Sequence, residues 1–212
     1  MCIRDRVKQA APDIRIIEAY RSSSYDPALI DILVPQLDEF VWEIYRTMPA
    51  GHSCWFYTCM YPRGNFANRY VTLPLIKTRL LHWINYKYDS PGYLHWGFNA
   101  WGANGDPFGD VSAPANDWPG GDSHIVYPGY RKLYPSIRLA AMRDGIRDYD
   151  LLKMVEARDS IRAQAFVNAI IFDFNRYDTS VSRFRQIRRE ILDFLEDMHL
   201  SLIHISEPTR PY

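Results

Sequence analysis

The stretch that most restricts the fold is 52–101, where two short aromatic runs, Ser53–Cys59 and Gly92–Trp101, flank one apolar-periodic segment, Leu73–Tyr88. The runs are turn-bounded and rich in β-formers, which predicts buried strands. The segment between them sets Leu73, Ile76, Leu80, Trp83 and Ile84 at three- and four-residue spacing, which predicts a helix with an apolar stripe. Strand, helix and strand in this order predict a βαβ unit, and such units build parallel sheets with right-handed crossovers. Ligands of parallel α/β folds meet the carboxyl ends of the strands. Those ends here are Tyr57–Thr58 and Asn99–Trp101.

Around this unit the chain repeats the same alternation. Val7–Ala11 reads as the tail of a helix closed by Pro12, Ile14–Tyr20 as a strand, and Arg21–Pro27 as a turn-rich polar loop. Ile30–Gln36 reads as a further strand, ended by Pro35, which cannot donate to a ladder. Asp38 is placed to cap a helix running to about Met48, with Phe40, Val41, Ile44 and Tyr45 on one side. Four strands with alternating crossovers predict an α/β fold, the second half of a (β/α)8 TIM-type barrel, over 7–135. The segment 102–129 lacks any period and follows the last strand directly, which suits a rim loop over the strand ends. Its carboxylates Asp106, Asp110, Asp117 and Asp122 fit no calcium-loop spacing and read as turn formers.

From Ser136, a suitable N-cap, the chain reads as helical to residue 200, in closing helices that pack on the barrel. The first begins at Ile137 and keeps apolar spacing to Val155. Two more cover Phe166–Phe174 and Val181–Met198, the last with Phe184, Ile187, Ile191, Leu192 and Leu195 inward. Arg138, Arg143, Asp144 and Asp148 suit a polar network that ties these helices to the barrel.

Composition narrows the function class. The 25 basic and 25 acidic residues cancel, and no basic cluster marks a nucleic-acid or anionic-membrane footprint. No apolar run reaches the roughly 18 residues of a membrane helix. Cys54 and Cys59 fall on opposite faces of one strand, where they cannot easily bridge, and read as buried thiols. Six Trp and 15 Tyr can fill a core but also suit the stacking platforms of sugar sites. Nothing in the pattern calls for a metal or other cofactor. Met1–Arg6 and Ser201–Pro211 resemble translated sequencing-library adapter read from opposite strands, so both ends, 1–6 and 201–212, are expected to be foreign to the gene and the chain a fragment.

Period-two alternation puts Trp55 and Tyr57 on one strand face, and His95, Asn99 and Trp101 on another. Cys54 and Phe56, with Leu94 and Phe98, take the opposite faces beneath helices. With Tyr127 in the rim loop, the first set are the candidate ligand contacts. Trp and Tyr rings can stack on a pyranose, and Asn99 can hydrogen-bond hydroxyls or an acetamide. Trp55 could equally fill a packed barrel, and His95 could be a satisfied core histidine.

Several of these segments, in this order, resemble the catalytic domain of glycoside hydrolase family 123 and a related bacterial domain of unknown function. They are Asp31–Pro35, Trp55–Cys59, Arg79–Trp83, Gly92–Trp101, Tyr127–Gly129, Ser136–Leu139 and Arg143–Tyr149, within a match from about Asp13 to Leu195. Ala140 departs from the pattern, which expects an acidic residue there. The resemblance implies a retaining, substrate-assisted hydrolase of β-linked N-acetylgalactosamine, in which the substrate's acetamido oxygen replaces the enzyme nucleophile. An adjacent Asp-Glu pair would serve it, the Asp orienting the acetamide and the Glu acting as general acid. The resemblance places that pair upstream of residue 7. The chain is then expected to keep the half that binds an N-acetylhexosamine glycan: Trp55, Tyr57, His95, Asn99, Trp101 and Tyr127. Asp38-Glu39 is the internal substitute, though a helix cap and a first-turn acid explain both residues. A periplasmic or secreted location is also implied. The alternative is a non-catalytic carbohydrate-binding or structural domain of the same fold. A half barrel would expose strand edges at Ile14–Tyr20 and Gly92–Trp101, which predicts poor solubility.

Overall fold

The computed structural model describes residues 3–20, 30–41, 46–101, 106–109 and 118–206, with side chains except at 4, 20 and 198–206. Helix α1 (Ile3–Ala10) leads into β1 (Ile17–Tyr20), which pairs in parallel with β2 (Ile32–Pro35), and β2 pairs in parallel with β3 (Ser53–Cys54). β4 (Phe56–Thr58) pairs in parallel with β5 (Tyr93–His95). β3 and β4 are one path interrupted at Trp55, and a parallel bridge from Gln36 to Tyr57 joins the two sheets. Four parallel strand positions therefore lie side by side in sequence order, as the alternation predicts. The fold is mixed α/β, and the described residues form no closed barrel.

Register fixes which side chains share a face. Leu33 lies beside Cys54, Phe56 beside Tyr93 and Thr58 beside His95, while Gln36 lies beside Tyr57, and Tyr57 beside Leu94. The first face is covered by helix α2 (Leu75–Lys87), whose Leu80, Trp83 and Ile84 join Cys54 and Phe56 in the core. Of the predicted stripe, Ile76, Leu80, Trp83 and Ile84 are buried, while Leu73 lies before the helix, which starts at Leu75, and is only half-buried. Leu81, His82, Asn85 and Tyr86 are buried too, because α3 (Ile137–Glu156) lies along a second side of α2. Ser136 caps α3 by accepting from the Leu139 amide at 3.2 Å. Helices α4 (Ser160–Asn168) and α5 (Val181–Ser206) complete the core with Phe166, Phe184, Ile187, Ile191 and Leu195.

The helix pair depends on a glycine. A Cβ at Gly145 of α3 would lie 2.5 Å from the Arg79 carbonyl oxygen and 3.0 Å from His82 Cδ2. Backbone cannot yield as a flexible side chain can, so Gly145→Ala is expected to force the helices apart and cost about 1–3 kcal/mol, read from urea denaturation.

Several expectations are corrected. Strand β5 stops at His95, because Arg69 occupies the Gly97 carbonyl and the chain bends at Trp96. The segment beyond runs beside 123–125 instead: Asn99 bridges His124, and Ile125 N donates to Phe98 O at 2.9 Å. Phe98 is consequently exposed rather than packed beneath a helix. The end of the expected rim loop is strand β6 (Val126–Gly129), paired antiparallel with β7 (Lys132–Pro135). The helix expected over Phe166–Phe174 ends at Asn168, and Ile171–Asp173 (β8) pairs with Arg176–Tyr177 (β9) in a hairpin. Leu192 lies partly exposed, off the buried stripe of α5. Asp38 sits inside a 3-10 turn, Leu37–Glu39, where its carboxylate accepts from Gln36 Nε2 at 2.7 Å instead of capping a helix. Arg21–Pro27, Ile44, Tyr45, Asp110 and Asp117 lie outside the described residues.

Candidate functional site

The carboxyl ends of β2, β4 and β5 gather the groups able to meet a ligand. On the face without α2, Gln36, Trp55 and Tyr57 lie on neighbouring strands, and Tyr57 Oη donates to Gln36 Oε1 at 3.2 Å. The Gln36 amide is shared between Tyr57 and Asp38, so its orientation is fixed from both ends. Trp55 lies lower on this face, and its ring occupies the space that Gly92 leaves open. A Cβ on Gly92 would fall 2.0 Å from that ring. Trp55 is thus a filler beneath the site, half-buried against β5, while Tyr57 and Gln36 stand at the strand end.

His95 lies elsewhere than the alternation predicts. Its register with Thr58 puts it on the helix-covered face, with the side chain only 3% exposed. The Gly97 amide donates to Nδ1 at 3.1 Å, which leaves the ring proton on Nε2, 3.2 Å from Asp122 Oδ1 but poorly aligned for a hydrogen bond. Desolvation outweighs the neighbouring carboxylate and pulls this imidazole down to about 4, so it is neutral at ordinary pH. The other Asp122 oxygen accepts from Trp96 Nε1 at 2.9 Å. Asp122, a turn former by its sequence neighbours, is therefore a buried acid that holds Trp96 by a hydrogen bond and lies against the neutral His95 ring on its other side.

Two buried arginines bolt this arrangement together. The Arg69 guanidinium donates to the carbonyls of Gly97 and Asp122, and burial lowers it to about 10. Arg138 Nη1 reaches across from α3 to the carbonyls of Arg69 and Gly121, at 2.8 and 2.7 Å. A charged donor on a backbone carbonyl is a strong hydrogen bond, and these fix loops that carry no regular ladder. The remaining candidates attach to the same segment. Trp101 Nε1 donates to Val126 O at 2.9 Å, and Asn99 bridges His124. Tyr127 stacks on Phe108 at 5.0 Å and meets the His124 ring edge-on at 5.1 Å.

The structure thus brings together His95, Asn99, Trp101 and Tyr127 around 122–127, keeps Tyr57 with Gln36 on the adjacent strand ends, and sets Trp55 below. Gln36, Arg69, Trp96 and Asp122 belong to the site and were not singled out by the sequence. Gln36 and Trp96 each adjoin a predicted strand end, which is the signal that could have found them. No pattern marks Arg69 or Asp122. The Cys54 thiol is buried and pushed far up, so it is no nucleophile. Among the described residues no group of three His, Cys, Asp or Glu side chains is placed to hold a metal ion.

The sequence family described as "Glycoside hydrolase 123, catalytic domain" matches residues 2–155. Among solved structures, the fold is similar to that of a family 123 glycoside hydrolase from Clostridium perfringens, studied for glycolipid glycan hydrolysis. The two superpose with a TM-score of 0.69 at 18% sequence identity, over 89% of this chain and 37% of that one. No curated protein matches the chain.

Proposed function

Because this chain belongs to glycoside hydrolase family 123, we propose that it is the sugar-binding, C-terminal half of a (β/α)8 catalytic domain in a substrate-assisted, retaining β-N-acetylgalactosaminidase. The observation that carries this reading is the placement of Gln36 and Tyr57 at the carboxyl ends of adjacent parallel strands, on the face free of α2. Barrel enzymes bind substrate at such ends. The half-buried Tyr57 ring offers an apolar face to a pyranose, and the buried Gln36, bonded to both Tyr57 and Asp38, fixes that ring in place. Asn99, Trp101 and Tyr127 would close the far side of the sugar, and Asp122 would hold Trp96 in place beside His95.

The reaction needs two carboxyl groups, an adjacent Asp-Glu pair. The acetamido oxygen forms a bond to the anomeric carbon as the glycosidic C–O bond breaks. A protonated Glu gives its proton to the leaving oxygen, and water later opens the cyclic intermediate with retention. Asp38-Glu39 suits this poorly, because Asp38 already accepts from Gln36 within a 3-10 turn. The acid pair is assigned to a strand preceding this segment in the parent enzyme.

The test is to assay the full parent gene product on p-nitrophenyl N-acetyl-β-galactosaminide, with the glucosamine isomer alongside. Nitrophenol release that is lost when the upstream Asp or Glu is changed is the expected result. Tyr57→Ala is expected to lower kcat/KM by roughly tenfold or more, the equivalent of about 1.4 kcal/mol. A folded full-length protein that cleaves neither substrate would instead be a non-catalytic carbohydrate-binding or structural domain.

A further inference from the structure

A cavity lies between α2, α3 and the start of β5, away from the carboxyl ends of the strands. It has a volume of about 410 Å³, and its walls include His82 and Asn85 of α2, Tyr93 of β5, and Met142, Ile146 and Asp150 of α3. That volume lies within the range of small-molecule sites, about 300–1,000 Å³. We propose that this cavity binds a small organic ammonium ion, a protonated primary amine carried on an aromatic or branched aliphatic body. The proposal is independent of the glycosidase reading, since none of Gln36, Tyr57, Asn99, Trp101 and Tyr127 lines the cavity.

Three observations point to a cation. First, the cavity holds a buried acceptor without a donor. Asn85 Nδ2 donates to the carbonyls of Ser90 and Gly92, both at 2.8 Å, so the orientation of the amide is settled and the atom left over is its oxygen. Asn85 is 3% exposed, and its Oδ1 has no hydrogen-bond partner among the described residues. His82 Nε2, one turn earlier, has none either, and the two side chains are not aligned to bond each other. Burial lowers the His82 imidazole to about 4, against smaller opposing pulls from Asn85 and Asp148. The ring is therefore neutral at ordinary pH and offers a lone pair. A buried acceptor left unpaired is costly, and an entering N–H donor removes that cost. Second, the electrostatics favour positive charge. Among the described residues of the wall, the formal charge is the Asp150 carboxylate, and none is Lys or Arg. Asn85 also stands in the last turn of α2, and the carboxyl end of a helix favours cations. Third, the rest of the wall suits an apolar body. Tyr93 Oη is engaged with Thr58 Oγ1 at 2.6 Å, which leaves the ring itself to the cavity, edge-on to His82 at 6.0 Å. An aromatic ring attracts a cation through its quadrupole. Met142 adds a polarisable thioether, and Ile146, 48% exposed, an aliphatic rim.

The experiment titrates this chain at neutral pH, by calorimetry, with phenethylamine, and with phenethyl alcohol and phenylacetate as its neutral and anionic counterparts of similar size. The amine is expected to bind about tenfold more tightly than the alcohol, and the carboxylate most weakly. Asp150→Asn, at an exposed position, is expected to weaken the amine about three- to fivefold and to leave the alcohol unchanged. Ile146→Trp, which puts an indole across the rim, is expected to abolish binding of both while the chain still melts cooperatively. Equal affinity for the three compounds overturns the proposal, because burial of the phenyl ring alone would then account for binding. Amine binding that ignores both substitutions overturns it too, since the amine would then sit elsewhere on the chain. So does the absence of amine binding to the cooperatively melting wild-type chain.

Discussion

Acidification from about pH 6.5 to about pH 4 is expected to destabilise this chain steeply, because three histidines are buried neutral. Desolvation lowers His82, His95 and His124 to about 4 each. In the unfolded chain they titrate near the ordinary value of about 6.5. Between those two values the unfolded state binds more protons than the folded one, so stability rises with pH across the window and falls as pH drops. Each such proton contributes a slope of about 1.4 kcal/mol per pH unit, and three together approach three times that in mid-window. Below about 4 the folded imidazoles also protonate and the slope from these groups vanishes. Asp31, lowered by the Ile16 amide and Lys8, loses its contribution only below its ordinary value of 3.8, outside this window. Urea denaturation at half-unit steps from pH 7 to 4 measures the slope, and His124→Asn should reduce it by one proton. A flat profile would mean that these rings are solvated in the folded state.

The elements legible in the sequence are those whose pattern and tertiary role agree. The stripe Ile76, Leu80, Trp83 and Ile84 predicted α2, and Ser136 predicted the start of α3, where its side chain caps the Leu139 amide. The four strand positions and their parallel order followed from alternation with helices. Errors arose where a local apolar run competed with a distant polar one. Gly92–Trp101 has the composition of a ten-residue strand, yet only Tyr93–His95 pairs as one, since Arg69 and the 122–125 segment capture the backbone beyond it. Arg69 is 28 residues from Gly97, and no periodicity reports such a contact. The α4-to-hairpin switch after Asn168 was hidden for a related reason. Ile170, Ile171 and Phe174 are apolar enough to continue a helix, but they fold back as part of a two-stranded turn over the core.

The site was legible by place more than by role. The structure places Tyr57, His95, Asn99, Trp101 and Tyr127 at or beside the strand ends, the region the alternation pointed to. Alternation assigned Trp55 and Tyr57 to a common face, which the bridge of Tyr57 to Gln36 puts opposite α2. It failed for His95, because register between strands, unlike spacing within one, is set by the turn and loop geometry that connects them. Asp122 could not be separated from its neighbours: Asp106, in the same loop, does act as a turn former, accepting from the Phe108 and Gly109 amides. Both are aspartates beside glycine. Only burial tells them apart, and burial is a property of the whole fold.

Asp148→Ala is expected to be the most damaging substitution in the helical layer. The carboxylate, 1% exposed, accepts from Arg79 Nε and Nη2 at 2.6 and 2.8 Å, from Arg188 Nε at 2.9 Å and from Trp83 Nε1 at 3.2 Å. It therefore joins α2, α3 and α5 through one side chain. Removing it leaves the fully buried Trp83 N–H with no acceptor among the described residues and places two guanidiniums next to each other without their counter-charge. Losing one member of a buried pair costs about 3–5 kcal/mol. Arg79 and Arg188 keep 23% and 34% of their side chains exposed and can rehydrate in part, so the lower end, about 3 kcal/mol, is expected. For a chain of this length that lowers Tm by about 6–12 °C. Arg188→Ala should cost roughly 1 kcal/mol or less, because Arg79 and Trp83 still satisfy the carboxylate. Arg79→Ala should fall between, since it removes two hydrogen bonds and the guanidinium that packs 4.8 Å over the Phe184 ring. Thermal melts of the three variants give the order directly. If Arg188→Ala proved as costly as Asp148→Ala, the three helices would be held by the charge pair alone, and the buried Trp83 hydrogen bond would contribute nothing.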